Sequence, residues 1–172
     1  MVYHTYARVL HRLDGMGRRI LVVEPYEAIR ELLQATLRHA GHDLEAVETG
    51  NEAIAAMERE HFPCVVVGSP VVVEAADTKV LFLEYVEHHC PQWRPCLIVL
   101  TTHVEAGQIV EVSERLRVCA VLAKPFAADD LLEVVDGCLA GRHTPTRWIG
   151  IPEHTSAPAT AAPGAATPDV SK

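Results

Sequence analysis

Four short apolar runs of this sequence are each followed by a pair of residues, and at least one residue of each pair has a side chain that can take part in chemistry. These residues are Glu24 and Pro25, Gly68 and Ser69, Thr101 and Thr102, and Lys124 and Pro125. A carboxylate such as Glu24 is a ligand for Mg²⁺, and the Thr101 hydroxyl with the Lys124 ammonium group suits a bound anion. A site of this kind requires a fold that brings the ends of all four runs together.

The elements between these residues alternate short β-branched runs with helical patterns from Arg18 to Gly141. Strands are predicted at 20–23, 44–47, 64–67, 97–100 and 120–122, and helices at 28–37, 52–60, 78–89, 105–116 and 129–139. Val71 to Val73 is interpreted as a packed loop. The pattern favours an α/β, flavodoxin-like fold: a doubly wound, five-stranded parallel sheet of order 2-1-3-4-5 with helices on both faces. Ligands bind such sheets at the carboxyl ends of the strands, where the four pairs lie.

Three stretches carry a family resemblance. RRILVVEPYEAIRELLQATLRHAGHDLEAVETGNEAIAAM, LIVLTTH and AVLAKPF stand in this order and together resemble the receiver domain of bacterial two-component response regulators, over Arg18 to Gly141. In that family an acidic pair after strand one and an Asp at the end of strand three hold Mg²⁺. The Asp accepts a phosphoryl group from a histidine kinase. The resemblance implies that Thr101 and Lys124 stand where the family contacts the phosphoryl oxygens.

The sequence departs from the family at the residues that carry its chemistry. Gly68 stands at the phosphoacceptor position and Pro25 at the second acidic position, which leaves Glu24 as one carboxylate of three. Glycine has no side chain that can attack phosphorus, and Mg²⁺ prefers an oxygen shell charged by carboxylates. We therefore expect a degenerate pseudo-receiver that is not an enzyme and binds no cofactor or metal, Mg²⁺ included. Ser69 has no base or metal to activate it.

Two further positions follow from the same comparison. Val121 occupies the place of the family's aromatic switch residue, so the relay between that residue and Thr101 is expected to be lost. Lys124 is left with Glu24 as its predicted anionic neighbour. Because an unpaired charge in this cleft costs free energy, we expect Lys124 and Glu24 to form an ion pair.

The composition excludes several classes of protein. The 172 residues are 49% hydrophobic and 22% charged, as in an ordinary globular domain. The 15 Lys and Arg against 23 Asp and Glu give a net charge of −8, which argues against direct binding of nucleic acid. No apolar run approaches the roughly 20 residues of a membrane span, and the first residues do not resemble a secretory signal. A cytoplasmic protein without a membrane partner is expected.

The cysteines are expected to be reduced and mostly buried. The chain has five, with no C-x-x-C pair, which favours free thiols over a disulfide framework or a zinc site. They are Cys64, Cys90, Cys96, Cys119 and Cys138.

The chain divides into three predicted regions. Residues 1–17 form an N-terminal extension, and Met16 offers an alternative start that leaves translation of residues 1–15 open. Residues 18–141 form the receiver-like domain. Residues 142–172 are rich in Pro, Ala and Thr and are predicted to be a disordered tail, although Trp148 and Ile149 could dock on the domain or on a partner.

The function expected from these features is that of a stand-alone atypical receiver in bacterial phosphorelay signal transduction, acting by phosphorylation-independent protein contact. Its partner, a signalling protein or a second copy, would bind the face formed by the predicted fourth helix, fifth strand and fifth helix. Gln108, Glu111 and Arg115 decorate that face. Two alternatives stay open: phosphorylation at an unconventional acceptor, and a sensor whose vacated pocket holds an anion or other small ligand. The partner, pathway and oligomeric state are not predicted.

Overall fold

A parallel sheet forms the centre of the molecule. The structure, a computed structural model, describes residues 19–76, 78–89, 95–102, 116–142 and 146–150. The strands are β1 (Ile20–Val23), β2 (Leu44–Val47), β3 (Cys64–Gly68), β4 (Val72–Ala75), β5 (Thr78–Leu81), β6 (Cys96–Thr101), β7 (Val118–Ala123) and β8 (Arg147–Ile149). The helices are α1 (Glu27–His39), α2 (Gly50–Arg59), α3 (Phe82–His89) and α4 (Ala128–Leu139). Six strands form the parallel sheet in the order β2-β1-β3-β6-β7-β8, and β4 and β5 form a separate antiparallel pair.

Helices cover both faces of this sheet. The inner strands β1, β3 and β6 are buried along their whole length, which explains why they read as continuous apolar runs. One core cluster joins Leu21 and Val23 to α2 and α3, and the other joins Ile20 and Val22 to α1 and α4. The alternation of side chains along β1 therefore divides the core into two layers.

The sheet differs from the prediction at its edge. The predicted five-stranded sheet of order 2-1-3-4-5 has a sixth strand, β8, which pairs in parallel with β7. The predicted disordered tail is therefore wrong for Arg147–Ile149, which lie in β8. An uncovered β7 would expose a row of backbone N–H and C=O groups, and Trp148 and Ile149 pack on the two opposite core clusters as β8 covers it.

The segment after β3 also differs from the prediction. Val71 to Val73 was expected to lie in a packed loop and a helix to begin at Thr78, but β4 and β5 form a hairpin and α3 begins at Phe82. The hairpin lies against the start of α2, where the Asn51 side chain donates to the Glu74 carbonyl at 2.9 Å and accepts from the Glu74 N–H at 2.8 Å. These tertiary hydrogen bonds have no local sequence signal.

Helix α2 begins with a capping box. The Thr49 side chain accepts a hydrogen bond from the Glu52 N–H, and the Glu52 carboxylate accepts one from the Thr49 N–H. This arrangement satisfies two backbone donors at the helix start and holds α2 beside the hairpin.

Two of the cysteines depart from the expected state. Cys96 and Cys119, at the starts of neighbouring strands, are joined by a disulfide with a Cα–Cα separation of 6.0 Å. The expectation of reduced thiols is wrong for this pair. Cys64 and Cys138 are free and buried as expected, and Cys90 lies outside the described residues.

Some of the predicted features lie where the structure gives no description. Most of the predicted helix at 105–116 lies there, with Gln108, Glu111 and Arg115, and so does most of the sequence at either end. Within the described ranges, no helix is long and apolar enough to cross a membrane.

Candidate functional site

The ends of four parallel strands bring the predicted site residues to one edge of the sheet. Glu24 follows β1, Gly68 ends β3, Thr101 ends β6 and Lys124 follows β7. The register pairs Gly68 with Leu100 and Thr101 with Ala123, so the strand ends are level. The structure thus assembles side chains that are up to 100 positions apart in the sequence.

Glu24 and Lys124 form the central contact of this site. The Lys124 Nζ donates to Glu24 Oε2 at 2.8 Å, and the Tyr26 N–H donates to Glu24 Oε1 at 3.1 Å. The Glu24 side chain is fully buried and that of Lys124 is 14% exposed. The ion pair expected from the sequence is therefore present, and both oxygens of the carboxylate accept hydrogen bonds.

The Glu24 carboxylate also occupies the space beside Gly68. A Cβ atom built on Gly68 would lie only 2.8 Å from Glu24 Cδ, closer than non-bonded carbon atoms approach. Gly68 is therefore required by its neighbour, since any side chain there would displace the Glu24 carboxylate. The pocket that the sequence suggested was vacated by the missing acceptor is filled from the adjacent strand.

Two residues that sequence reasoning missed complete this site. Tyr26 is 64% exposed, and the Lys124 Nζ lies 5.9 Å from the centroid of its ring, within reach of a cation–π interaction. The Arg30 guanidinium donates to the backbone carbonyls of Glu24 at 2.7 Å and Pro25 at 3.2 Å. Arg30 thereby fixes the turn that aims Glu24 inward. The available signal was a basic residue one turn into α1, which by itself is a common surface feature.

The remaining predicted residues lie around this pair. Thr101 is buried, its hydroxyl donates to the Thr102 carbonyl at 3.2 Å, and its own carbonyl accepts from the Lys124 N–H at 2.7 Å. Ser69 is half-buried and its N–H donates to Leu100. Val121, the predicted switch position, is buried and stands opposite Trp148 of β8, so an aromatic residue lies beside it on a neighbouring strand.

Solved structures share this architecture. The chemotaxis response regulator CheY4 of Vibrio cholerae aligns with a TM-score of 0.56 at 22% identity, over 70% of this chain and 97% of that chain. A response regulator receiver domain protein (CheY-like) of Methanospirillum hungatei aligns with a TM-score of 0.59 at 25% identity, over 73% of this chain and 95% of that chain. These matches show the fold.

Relatives found by sequence similarity agree with the fold seen in these structures. The response regulator protein FleR of Pseudomonas aeruginosa is 31% identical over 120 residues, which are 70% of this chain and 24% of FleR. The sensory/regulatory protein RpfC of Xanthomonas campestris is 28% identical over 154 residues, which are 90% of this chain and 20% of RpfC. The chain contains a CheY-like receiver domain. No protein-family model matches it, and this receiver chain spans about a quarter or less of the length of these relatives.

The chemistry available at this receiver site is limited by its residues. Gly68, the last residue of β3, offers no side-chain nucleophile, and the Glu24 carboxylate beside it is already paired with Lys124. Among the described residues, this end of the sheet gathers no group of three potential metal-ligating side chains. The arrangement is suited to holding the ends of β1, β3 and β7 together.

Proposed function

We propose that this receiver domain is a pseudo-receiver, which transmits a signal by contact with a partner protein and without being phosphorylated. The observation that supports this most directly is the Glu24 carboxylate, which lies in the space beside Gly68 and is paired with Lys124 at 2.8 Å. A response-regulator receiver takes part in two-component signalling. In this chain the position that would receive the phosphoryl group holds an internal ion pair.

Phosphorylation of this site is disfavoured because none of its described residues offers an activated and accessible nucleophile. Gly68 offers no side-chain oxygen, and Glu24 is fully buried with both carboxylate oxygens engaged. Attack by Glu24 on phosphorus would first require its carboxylate to break its hydrogen bonds with the Lys124 ammonium group and the Tyr26 N–H and to leave its buried position. Ser69 has no neighbouring base among its described contacts, so its hydroxyl is not activated.

Binding of Mg²⁺ is disfavoured for a related reason. Mg²⁺ requires an octahedral shell of oxygen atoms, usually with carboxylates that compensate its charge. The Glu24 carboxylate is compensated by Lys124, and the Pro25 carbonyl accepts a hydrogen bond from Arg30. The residues present do not fit the ion, so the proposal includes no metal.

The anion-sensor alternative loses support from the same contact. That hypothesis needs open space beside Gly68 with Lys124 and Thr101 free to bind an anion. The Glu24 carboxylate lies there instead, and it would repel a second anion at short range. The position of the Glu24 carboxylate therefore argues against binding of an anion at this site.

The ion pair explains how such a domain could act without a switch. A buried contact between the ends of β1 and β7 holds one arrangement of this edge of the sheet, so the partner surface would be presented constantly. That surface is proposed to include α4 and β8, the strand that covers β7, and Gln108, Glu111 and Arg115 remain its predicted polar contacts. The partner is a signalling protein or a second copy of the chain.

The test is intact-mass spectrometry after incubation with acetyl phosphate and Mg²⁺. The natural chain is expected to gain no phosphoryl mass. The control is the triple variant Glu24→Asp, Pro25→Asp, Gly68→Asp, which replaces the Glu24 carboxylate by a shorter one and supplies the two missing acidic residues. This variant is expected to gain mass, whereas Gly68→Asp alone is not, because its Cβ would collide with Glu24. A phosphoryl group on the natural chain would contradict the proposal, and peptide mapping would then locate the acceptor.

A further inference from the structure

Three cysteines meet at the end of the sheet opposite the receiver site. Cys96 begins β6, Cys119 is the second residue of β7, and Cys138 lies in the last turn of α4. Their Sγ atoms all lie within 4.8 Å of one another, and Cys96 and Cys119 are bonded. A third sulfur at this distance from a disulfide is within reach of it after a small side-chain movement.

A β-bulge explains why Cys119 joins this cluster. The register pairs Leu97 with Val118 and Ile98 with Ala120, which leaves Cys119 as the extra residue of β7. An extra residue breaks the alternation of side chains, and bulges often redirect a side chain beside a functional site. Cys119 consequently packs on the core layer that contains Cys96 and Cys138.

The cluster is open to solution on one side. A pocket of about 310 Å³ is lined by Cys119, Cys138, Glu133, Arg142 and Arg147, together with small or apolar residues. Cys96 does not line this pocket and is only 2% exposed. A small solute in this pocket therefore lies against Cys119 and Cys138 but not against Cys96. The volume suits a small molecule. Because Arg147 is paired with Glu133 at 2.9 Å, the lining has an excess of one positive charge, at Arg142, which favours an anionic molecule.

Cys64 lies next to the cluster without belonging to it. It is fully buried, and its pKa is raised well above that of an ordinary thiol. The largest cause of the raised pKa is hydrogen bonding with Cys138, and the second is burial. Because the thiolate is the nucleophile in disulfide exchange, this raised pKa leaves Cys64 mainly as the unreactive thiol.

We propose that Cys96, Cys119 and Cys138 form a thiol–disulfide exchange site for an anionic low-molecular-weight thiol of the glutathione class. The thiolate of the small molecule enters the pocket and attacks Cys119 Sγ. The Cys96–Cys119 bond breaks, a mixed disulfide forms on Cys119, and Cys96 leaves as a thiolate that takes up the proton lost by the small thiol. These steps exchange one disulfide for another without net oxidation.

Cys138 resolves the mixed disulfide. Its thiolate attacks Cys119 Sγ, the small thiol leaves and takes up the Cys138 proton, and a Cys119–Cys138 disulfide remains. Attack by two further small thiols reduces that bond and yields two protein thiols and one small-molecule disulfide, so electrons and protons balance. The exchange moves the covalent link from the pair β6 and β7 to the pair β7 and α4, which makes the attachment of α4 depend on the thiol pool.

The test maps the disulfides of the full chain in mixtures of reduced and oxidised glutathione. Samples are quenched in acid, alkylated with N-ethylmaleimide, digested without reductant and analysed by mass spectrometry. The natural chain is expected to give both Cys96–Cys119 and Cys119–Cys138 peptides. Cys138→Ser is expected to give only the first and to accumulate the mixed disulfide at Cys119 at least about tenfold above the natural chain. Cys90→Ser, which keeps all three cysteines, is the matched control and should behave like the natural chain.

Two outcomes would overturn the proposal. One is a natural chain that gives no Cys119–Cys138 peptide in any of the glutathione mixtures. The other is a natural chain whose three cysteines stay reduced in oxidised glutathione and carry one equivalent of zinc or copper by elemental analysis, which would make the cluster a metal site. The disulfide map of the natural chain decides between these results even if Cys138→Ser is poorly folded.

Discussion

The Glu24 side chain connects the stability of this domain to its proposed lack of phosphorylation chemistry. Its carboxylate accepts hydrogen bonds from Lys124 and from the Tyr26 backbone, and it takes up the space that a side chain at position 68 would need. Removing one member of a buried ion pair costs more than the pair contributes, because the remaining charge is left without compensation. Substitutions at Glu24 and at Gly68 can therefore test the ion pair and the occupied space separately.

Replacing Glu24 by Gln should destabilise the domain by about 3 kcal/mol, because Gln keeps the size but removes the charge that compensates Lys124. Urea unfolding followed by circular dichroism would measure this loss. Glu27→Gln is the matched control, since Glu27 is exposed in the first turn of α1 and should change stability far less. Equal losses in the two variants would show that the Glu24–Lys124 pair contributes nothing.

Replacing Gly68 by Ala should destabilise the natural chain by about 2 kcal/mol, because the added methyl group overlaps the Glu24 carboxylate. In a Glu24→Ala background the same substitution should cost much less, since the space beside Gly68 is then free. A double-mutant cycle measured by urea unfolding would give this coupling. Additive effects would mean that Glu24 does not occupy the space in solution.

At the scale of elements, local sequence patterns determine where some helices and strands form, whereas tertiary contacts determine others. Helix α2 carries its own start signal, the Thr49 and Glu52 capping box, and it begins at Gly50, two residues before the predicted start at Glu52. The hairpin of β4 and β5 has no such signal. It depends on the Asn51 amide, which pairs with the backbone of Glu74, and on the close approach of its backbone to Gly50.

The capping box should make stability depend on pH. Hydrogen bonds from the backbone N–H groups of Thr49 and Glu48 lower the pKa of Glu52 below its usual 4.5. Because the folded pKa is the lower one, this stabilisation is present above the unfolded pKa and is lost as pH falls through the folded pKa. Glu52→Ala should therefore cost up to about 1 kcal/mol near neutral pH and less in acid.

Urea unfolding at about pH 7 and about pH 3 would test this prediction, because the two conditions lie on either side of the carboxyl titration. Glu58→Ala, an exposed position on the same helix, is the control for loss of a negative charge. A Glu52→Ala effect that does not shrink in acid would contradict the role of the ionised carboxylate.

At the scale of the whole molecule, the chain closes one edge of its own sheet. Strand β8 pairs along Ala120, Val121 and Leu122 of β7, and Trp148 packs against the core cluster that contains Val121. This edge lies beside the face that the sequence assigned to partner binding. A partner would therefore meet β8 and α4 at this side of the sheet, with the hydrogen-bonding groups of β7 already engaged.

Replacing Trp148 by Ala should destabilise the domain by about 2 kcal/mol, less than for a fully buried aromatic residue because Trp148 is half-buried. Hydrogen exchange of the β7 amides that pair with β8 should also accelerate, since the edge would open locally. Trp148→Phe keeps an aromatic ring and should retain most of the protection. Unchanged exchange in Trp148→Ala would mean that β8 does not depend on this side chain.

Much of this architecture follows from local patterns in the sequence. The apolar runs at Ile20–Val23 and Cys96–Thr101 are buried strands because β-branched and aliphatic residues without polar interruption suit a sheet covered on both faces. The order of the residues at the strand ends predicted the receiver fold and the Glu24–Lys124 ion pair. Opposite charges at the same edge of a sheet are expected to pair, because an unpaired charge in the cleft costs free energy.

The tertiary structure decided the features that depend on distant neighbours. Trp148 lies in a strand only because β7 offers an open edge, and Cys119 reaches Cys96 only because of a bulge in the register of β7. Likewise, the sequence showed that Gly68 lacks a side chain, but only the structure placed the Glu24 carboxylate in its space. Strand edges, register and occupied volume arise from long-range packing, which no local pattern of residues encodes.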